Sequence, residues 1–208
     1  MSVPKRYWTT RSALTIDNGP RTIDLLVLVN GPWSIVGGLH ERMTMTKPQV
    51  LILMGSASDL PVMEEAEKIL TEFGIPSEKH VASAHRTPDK VAKLVAEAEG
   101  RGIGVIIAGA GYAAHLAGVV AAKTVLPVIG VPLDSSPLQG LDALLSTAQM
   151  PGGIPVASMC IGNAGAKNAG IFAAEILALS DQPLKEKLRQ FRKKMADQIE
   201  ERDREINR

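Results

Sequence analysis

From Gln49 onward the chain alternates between short runs that are apolar throughout and stretches with helical periodicity, joined by loops of Gly, Ala and Ser. The first run, Val50 to Met54, has no polar face. A half-solvated strand would alternate apolar and polar residues, so this run suits a central parallel strand covered on both sides. The turn Gly55-Ser56-Ala57-Ser58-Asp59 follows. Ser58 or Asp59 can cap the next helix, Pro61 fits its first turn, and Glu64 and Glu65 suit its positive end. Val62, Ala66, Ile69, Leu70 and Phe73 form one apolar stripe, and Gly74 ends the helix.

The same unit recurs. A second strand is expected near Lys79–Ala82, then the loop Ser83-Ala84-His85-Arg86-Thr87-Pro88, with Thr87 as N-cap of a helix Pro88–Glu99. A third strand, Gly104–Ala108, leads into Gly109–His115 and a small-residue helix ending around Lys123; a fourth strand spans Pro127–Val131. A short helix near Leu141–Leu145, the turn Pro151-Gly152-Gly153, a fifth strand Val156–Ile161 and a helix to about Leu179 complete the series. Such alternation predicts an α/β fold over residues 47–182: a doubly wound, parallel five-stranded sheet in a flavodoxin-like three-layer sandwich.

The two ends differ from this middle. Residues 183–208 predict a long C-terminal helix on which Leu184, Leu188, Phe191, Met195, Ile199 and Ile206 make a narrow stripe amid charge. So long a helix outlasts a compact five-stranded sheet, and the expectation is a homo-oligomer with this helix in subunit contacts. Residues 1–46 show little period and are broken by Asn18-Gly19-Pro20, Asn30-Gly31-Pro32 and Gly37-Gly38. They read as an irregular extension, with Met43 or Met45 the expected natural start.

Composition narrows the partners. A formal charge of +1 supplies no chain-wide field toward nucleic acid or an anionic membrane, so phosphate recognition has to be local. The early apolar run Ile23–Val29 is interrupted by Asp24 and is far short of the roughly 20 residues of a membrane span. No signal peptide is expected. The single cysteine excludes an internal disulfide and suits a reducing compartment, so a cytoplasmic location is expected.

In open parallel sheets a ligand sits beyond the carboxyl ends of the strands, and the distinctive residues here follow strands one, two, three and five. Gly55 lets a backbone approach, Ser56 and Ser58 carry hydroxyls, and the helix starting near Asp59 offers backbone N–H groups to an anion. Ser58 and Asp59 serve equally well as a simple capped turn. Arg86 has the fork geometry that suits phosphate. His85 is able to move a proton near neutrality or to sit as a helix-cap residue. His115 lies in a run rich in Gly and Ala, where a ligand can touch the backbone or a helix can press on the sheet.

Other chemistries are poorly supplied. Cys160, in the fifth predicted strand, reads as a small core residue. The four histidines, His40, His80, His85 and His115, lack metal-ligand spacing, so no metal is expected. Gly165-Ala166-Lys167-Asn168 reads as either a tight connection or a pocket rim. Neither a dinucleotide fingerprint nor a P-loop is present.

Taken in order, Gly55-Ser56-Ala57-Ser58-Asp59, Ser83-Ala84-His85-Arg86-Thr87-Pro88, Gly109-Ala110-Gly111 with Ala113-Ala114-His115-Leu116, and Gln149-Met150-Pro151-Gly152-Gly153-Ile154-Pro155 closely resemble the 5-(carboxyamino)imidazole ribonucleotide mutase family of purine biosynthesis. The resemblance spans about Pro48 to Leu179. It implies a cofactor-free isomerisation in which the carbamate carboxyl leaves as carbon dioxide and is added to ring carbon 4, with His85 as acid and base. It also implies substrate binding by Ser56, Asp59 and Arg86, with Ser58, Ser83, Gly111 and His115 as secondary candidates, and a homo-octamer with sites near subunit contacts. Tyr112, Ala117 and Val119 depart from the family's usual Gly, Pro and Met. A related branch carboxylates aminoimidazole ribonucleotide directly with carbon dioxide, typically with Lys in place of Arg86 and without the third-loop histidine. That branch and a non-catalytic nucleotide-sensing domain are the alternatives.

Overall fold

A computed structural model describes Lys47 and residues 49–208. The expectations for residues 1–46 therefore lie outside the described residues. Five strands form one sheet: β1 (Val50–Met54), β2 (Ser77–Val81), β3 (Val105–Ala110), β4 (Val128–Pro132) and β5 (Ala157–Ser158). Their order is β2-β1-β3-β4-β5 and every pairing is parallel. Six helices connect and cover them: α1 (Leu60–Phe73), α2 (Pro88–Arg101), α3 (Leu116–Ala121), α4 (Leu141–Ala148), α5 (Gly162–Leu177) and α6 (Gln182–Ile206). This is the expected doubly wound sandwich, and the order reverses between β1 and β3.

The period-2 geometry of the strands divides the core. In β1, Val50, Ile52 and Met54 face one helical layer while Leu51 and Leu53 face the other. The first layer is α1 with α5 and the start of α6; the second holds α2 and α3. Close approach of α5 to α1 depends on small residues: Ala166, Ala169, Ala173 and Ala174 are buried, and a Cβ on Gly170 would meet the Ala66 carbonyl oxygen at 2.8 Å. Gly74 and Gly102 end α1 and α2 in the left-handed conformation, each N–H returning to carbonyls of the last turn.

Three local expectations change. Strand β5 covers only Ala157–Ser158, because after Met159 N–H bonds the Gly130 carbonyl the chain turns away from the sheet. Cys160 thus lies outside the strand and is exposed, with no place in the core. Thr87 makes no side-chain cap; its Oγ1 instead accepts the Ser83 N–H at 2.9 Å and donates to the Ser83 carbonyl at 3.2 Å, closing the loop before α2 on itself. The Gly165 region is a tight connection: a Cβ there would stand 1.7 Å from the Cys160 carbonyl oxygen.

Candidate functional site

A cavity of about 620 Å³ opens beyond the carboxyl ends of β1, β2 and β3, at the point where the strand order reverses. Ser56, Ser58 and Asp59 reach it from the loop after β1, and Ser83, His85 and Arg86 from the loop after β2. Gly111 and His115 reach it from the loop after β3. All eight residues singled out in the sequence line this one space.

The first loop is more self-contained than an open anion cradle. Ser56 caps a single 3-10 turn, Ala57–Asp59, as half of a capping box: its Oγ accepts the Ser58 N–H at 3.3 Å, and Asp59 Oδ2 accepts the Ser56 N–H at 2.9 Å. The Ser58 hydroxyl donates to Ser56 Oγ at 2.8 Å. The amides of Ser56 and Ser58 are therefore already engaged inside the loop. Asp59 is only 7% exposed, and burial raises its carboxyl above the ordinary value of 3.8. The Ser56 amide, the Ser58 hydroxyl, the Arg86 charge and the Gly55 backbone pull the other way.

Arg86 joins two loops. Its Nη2 donates to the Gly55 carbonyl at 2.7 Å, and its own amide is held by Ser83 Oγ at 3.2 Å. The guanidinium is thus oriented by protein contacts while remaining exposed at the cavity. In the same cavity, His85 Nε2 and His115 Nδ1 are 2.8 Å apart, with ring planes at 80° and centroids 4.9 Å apart. The third loop is held from behind, since Ala114 N–H bonds Ser146 Oγ at 2.9 Å.

One lining residue escaped the sequence reading. Ser135, after β4, lines the cavity and sits where a Cβ on Gly111 would come within 1.8 Å of its Oγ, so a side chain at that position would require the Ser135 hydroxyl to turn away. Its signal was available: Asp134-Ser135-Ser136-Pro137 follows a strand at the ligand end of the sheet. The expectation that strand five would contribute a loop is replaced by this loop of strand four. Tyr112 also lines the cavity, 58% exposed, with a positive φ of 53°. The segment Gln149–Pro155, which carries part of the resemblance, stands apart from this cavity; Met150 instead packs near Gly118 of α3. Among the described residues no three His, Cys, Asp or Glu side chains cluster as a metal site would require.

Comparison with known proteins agrees in extent with this folded region. The AIR carboxylase family model matches residues 49–198. The N5-carboxyaminoimidazole ribonucleotide mutase of Pyrococcus horikoshii is 57% identical over 156 residues, which is 75% of this chain and 87% of that protein. The protein of the same name from Bacillus subtilis is 58% identical over 142 residues, 68% of this chain and 88% of that one. The crystal structure of Treponema denticola PurE superposes with a TM-score of 0.71 at 31% identity, covering 77% of this chain and 99% of that structure. Sheet order, cavity position and these likenesses converge, and the chain belongs to the AIR carboxylase family.

Proposed function

We propose that this protein is an isomerase of purine biosynthesis that converts 5-(carboxyamino)imidazole ribonucleotide to 4-carboxy-5-aminoimidazole ribonucleotide. The observation that carries the reading is the juxtaposition of His85, Arg86 and Asp59 around one cavity, in a chain 57% identical to a named mutase. Arg86 takes the substrate phosphate, with the Ser56 hydroxyl as the first loop's donor to it. Asp59 accepts from the ribose hydroxyls. Ser58, Ser83, Gly111 and His115 complete the wall around the ring.

Protonated His85 gives its proton to the exocyclic nitrogen as the nitrogen–carboxyl bond breaks and carbon dioxide is released into the cavity. Carbon 4 then attacks that carbon dioxide, a new carbon–carbon bond forms, and neutral His85 takes the proton that carbon 4 gives up. One proton leaves His85 and one returns, so the enzyme ends the cycle as it began. No cofactor enters this balance. The single cysteine suits a cytoplasmic location for the reaction, and the working unit is a homo-octamer, for which the apolar stripe on α6 provides a surface.

The test is a paired assay on the purified full chain, following the 4-carboxy product from the carbamate substrate and, separately, from aminoimidazole ribonucleotide with ambient or raised bicarbonate. Fast turnover of the carbamate with slow turnover of the second mixture is expected. Efficient carboxylation at modest bicarbonate moves the protein to the direct carboxylases, and ligand binding without turnover in either assay makes it a sensor.

A further inference from the structure

Two imidazole nitrogens that face each other at 2.8 Å must share one proton: with none between them two lone pairs repel, and with two the hydrogens collide. His85 Nε2 and His115 Nδ1 are in this position, so each ring fixes the tautomer of the other. Perpendicular ring planes do not disturb such a bond. The backbone that carries each ring is held in place. The loop carrying His85 is closed by Thr87 on Ser83, and His115 is the N-cap residue of α3, anchored through its carbonyl to Val119 N–H and through its amide to the Ala113 carbonyl. The His115 ring makes no capping bond to α3, which leaves it available to His85.

We infer that His115 is the positioning residue for His85: its Nδ1 accepts the Nε2–H of His85, so the proton that shuttles to substrate is carried on His85 Nδ1. This rests on the reading of His85 as the acid and base. The direction of the bond follows from the two states His85 must pass through. As an imidazolium it carries hydrogen on both nitrogens, so Nε2 has to donate and His115 Nδ1 has to accept. After Nδ1 has released its proton the same bond persists unchanged, and the lone pair at Nδ1 is ready for the proton from carbon 4. The opposite direction would require both rings to exchange tautomers in every turnover. His115 thereby acts through His85, where the resemblance implied a substrate contact.

Histidine ring 15N spectra of the labelled full chain decide this apart from activity. Wild-type protein, at a pH where His85 is neutral, is expected to show His85 protonated at Nε2 and bare at Nδ1. In His115→Ala the same ring becomes a tautomer mixture, and in His115→Asn, whose side-chain carbonyl accepts the same N–H, the Nε2–H form returns. Kinetically, His115→Ala should lower kcat about 10- to 100-fold, the scale of losing the hydrogen-bond partner that orients a metal-ligating histidine, with KM within about twofold. His115→Asn should regain part of the loss. A wild-type His85 protonated at Nδ1, or a His115→Ala variant whose defect lies in KM with the His85 tautomer unmoved, overturns the assignment. Should wild-type protein fail to turn over the carbamate, the proposed function falls, while the spectra still settle which ring donates.

Discussion

Arg86 illustrates how much of this site is decided by single side chains. Its Nη2 is committed to the Gly55 carbonyl, yet the group is exposed, so water can replace that bond when the side chain is removed. Arg86→Ala should therefore leave the fold standing and raise KM by about 10- to 100-fold, the loss of one charge-assisted contact to phosphate at roughly 1.5–3 kcal/mol, with a much smaller change in kcat. A variant with lowered kcat and unchanged KM would remove Arg86 from the phosphate. Asp59 gives a pH prediction. Burial raises its carboxyl above 3.8, so the folded protein holds a proton that the unfolded chain has already lost. Stability from this group is full below pH 3.8 and falls as pH rises through the raised value. Denaturant titrations across that window should show the decline in wild type and a flatter profile in Asp59→Asn; identical profiles would mean that the carboxylate is not under strain. Tyr112 bears a conformation that glycine adopts freely. Tyr112→Gly removes about 1–2 kcal/mol of left-handed strain and returns about 0.5–1 kcal/mol of chain entropy to the unfolded state. A net gain of up to about 1.5 kcal/mol is expected from chemical denaturation, and a loss of stability would show that the ring packs better than its exposure suggests.

At the level of elements, legibility in the sequence followed periodicity. Strands β1, β3 and β4 were readable because their residues are apolar on both faces, and α1 and α2 because their stripes end at glycines that close the helix. The site loops after β1, β2 and β3 were readable because the strand ends fix where a ligand lies, and Gly, Ser, His and Arg at those ends have few other uses. Contacts between segments distant in sequence were not readable. The loop that carries Ser135 was readable from its place after a strand, but its contact with Gly111, 24 positions earlier, was not. Strand β5 looked long because Val156–Ile161 is mostly apolar, but its ladder ends where α5 needs room beside Cys160. That packing is testable. Gly165→Ala would drive its Cβ against the Cys160 carbonyl, a backbone group with little freedom to retreat, and should cost at least about 2 kcal/mol. Gly152→Ala, which meets nothing within 4 Å, serves as the control and should be close to neutral in the same thermal melt. Equal melting temperatures for the two variants would mean the turn after β5 is looser than its geometry.

The whole molecule poses a question that α6 makes concrete. A 25-residue helix is about 37 Å long at 1.5 Å per residue, and its buried residues, Leu184 and Leu188, lie in its first two turns. Its first turns are tied down: Asp181 Oδ1 caps Leu184 N–H at 2.9 Å, Leu184 and Leu188 are buried, and Phe191 meets Phe73 edge-on at 5.3 Å. Past Arg192, which pairs with Glu175 of α5, the apolar stripe continues while exposure climbs from 44% at Met195 to 63% at Ile199 and 83% at Ile206. A solvated helix end has no reason to keep that stripe in register with the buried one, whereas a second subunit laid along it would bury the same face. The expected outcome is that Met195→Glu combined with Ile199→Glu lowers the assembly mass measured by light scattering. The circular dichroism of the folded domain should be unchanged, because neither side chain belongs to the core described here. Assembly that survives both charges would place the subunit contacts elsewhere on the sandwich and leave the second half of α6 free to bind something other than its own copies.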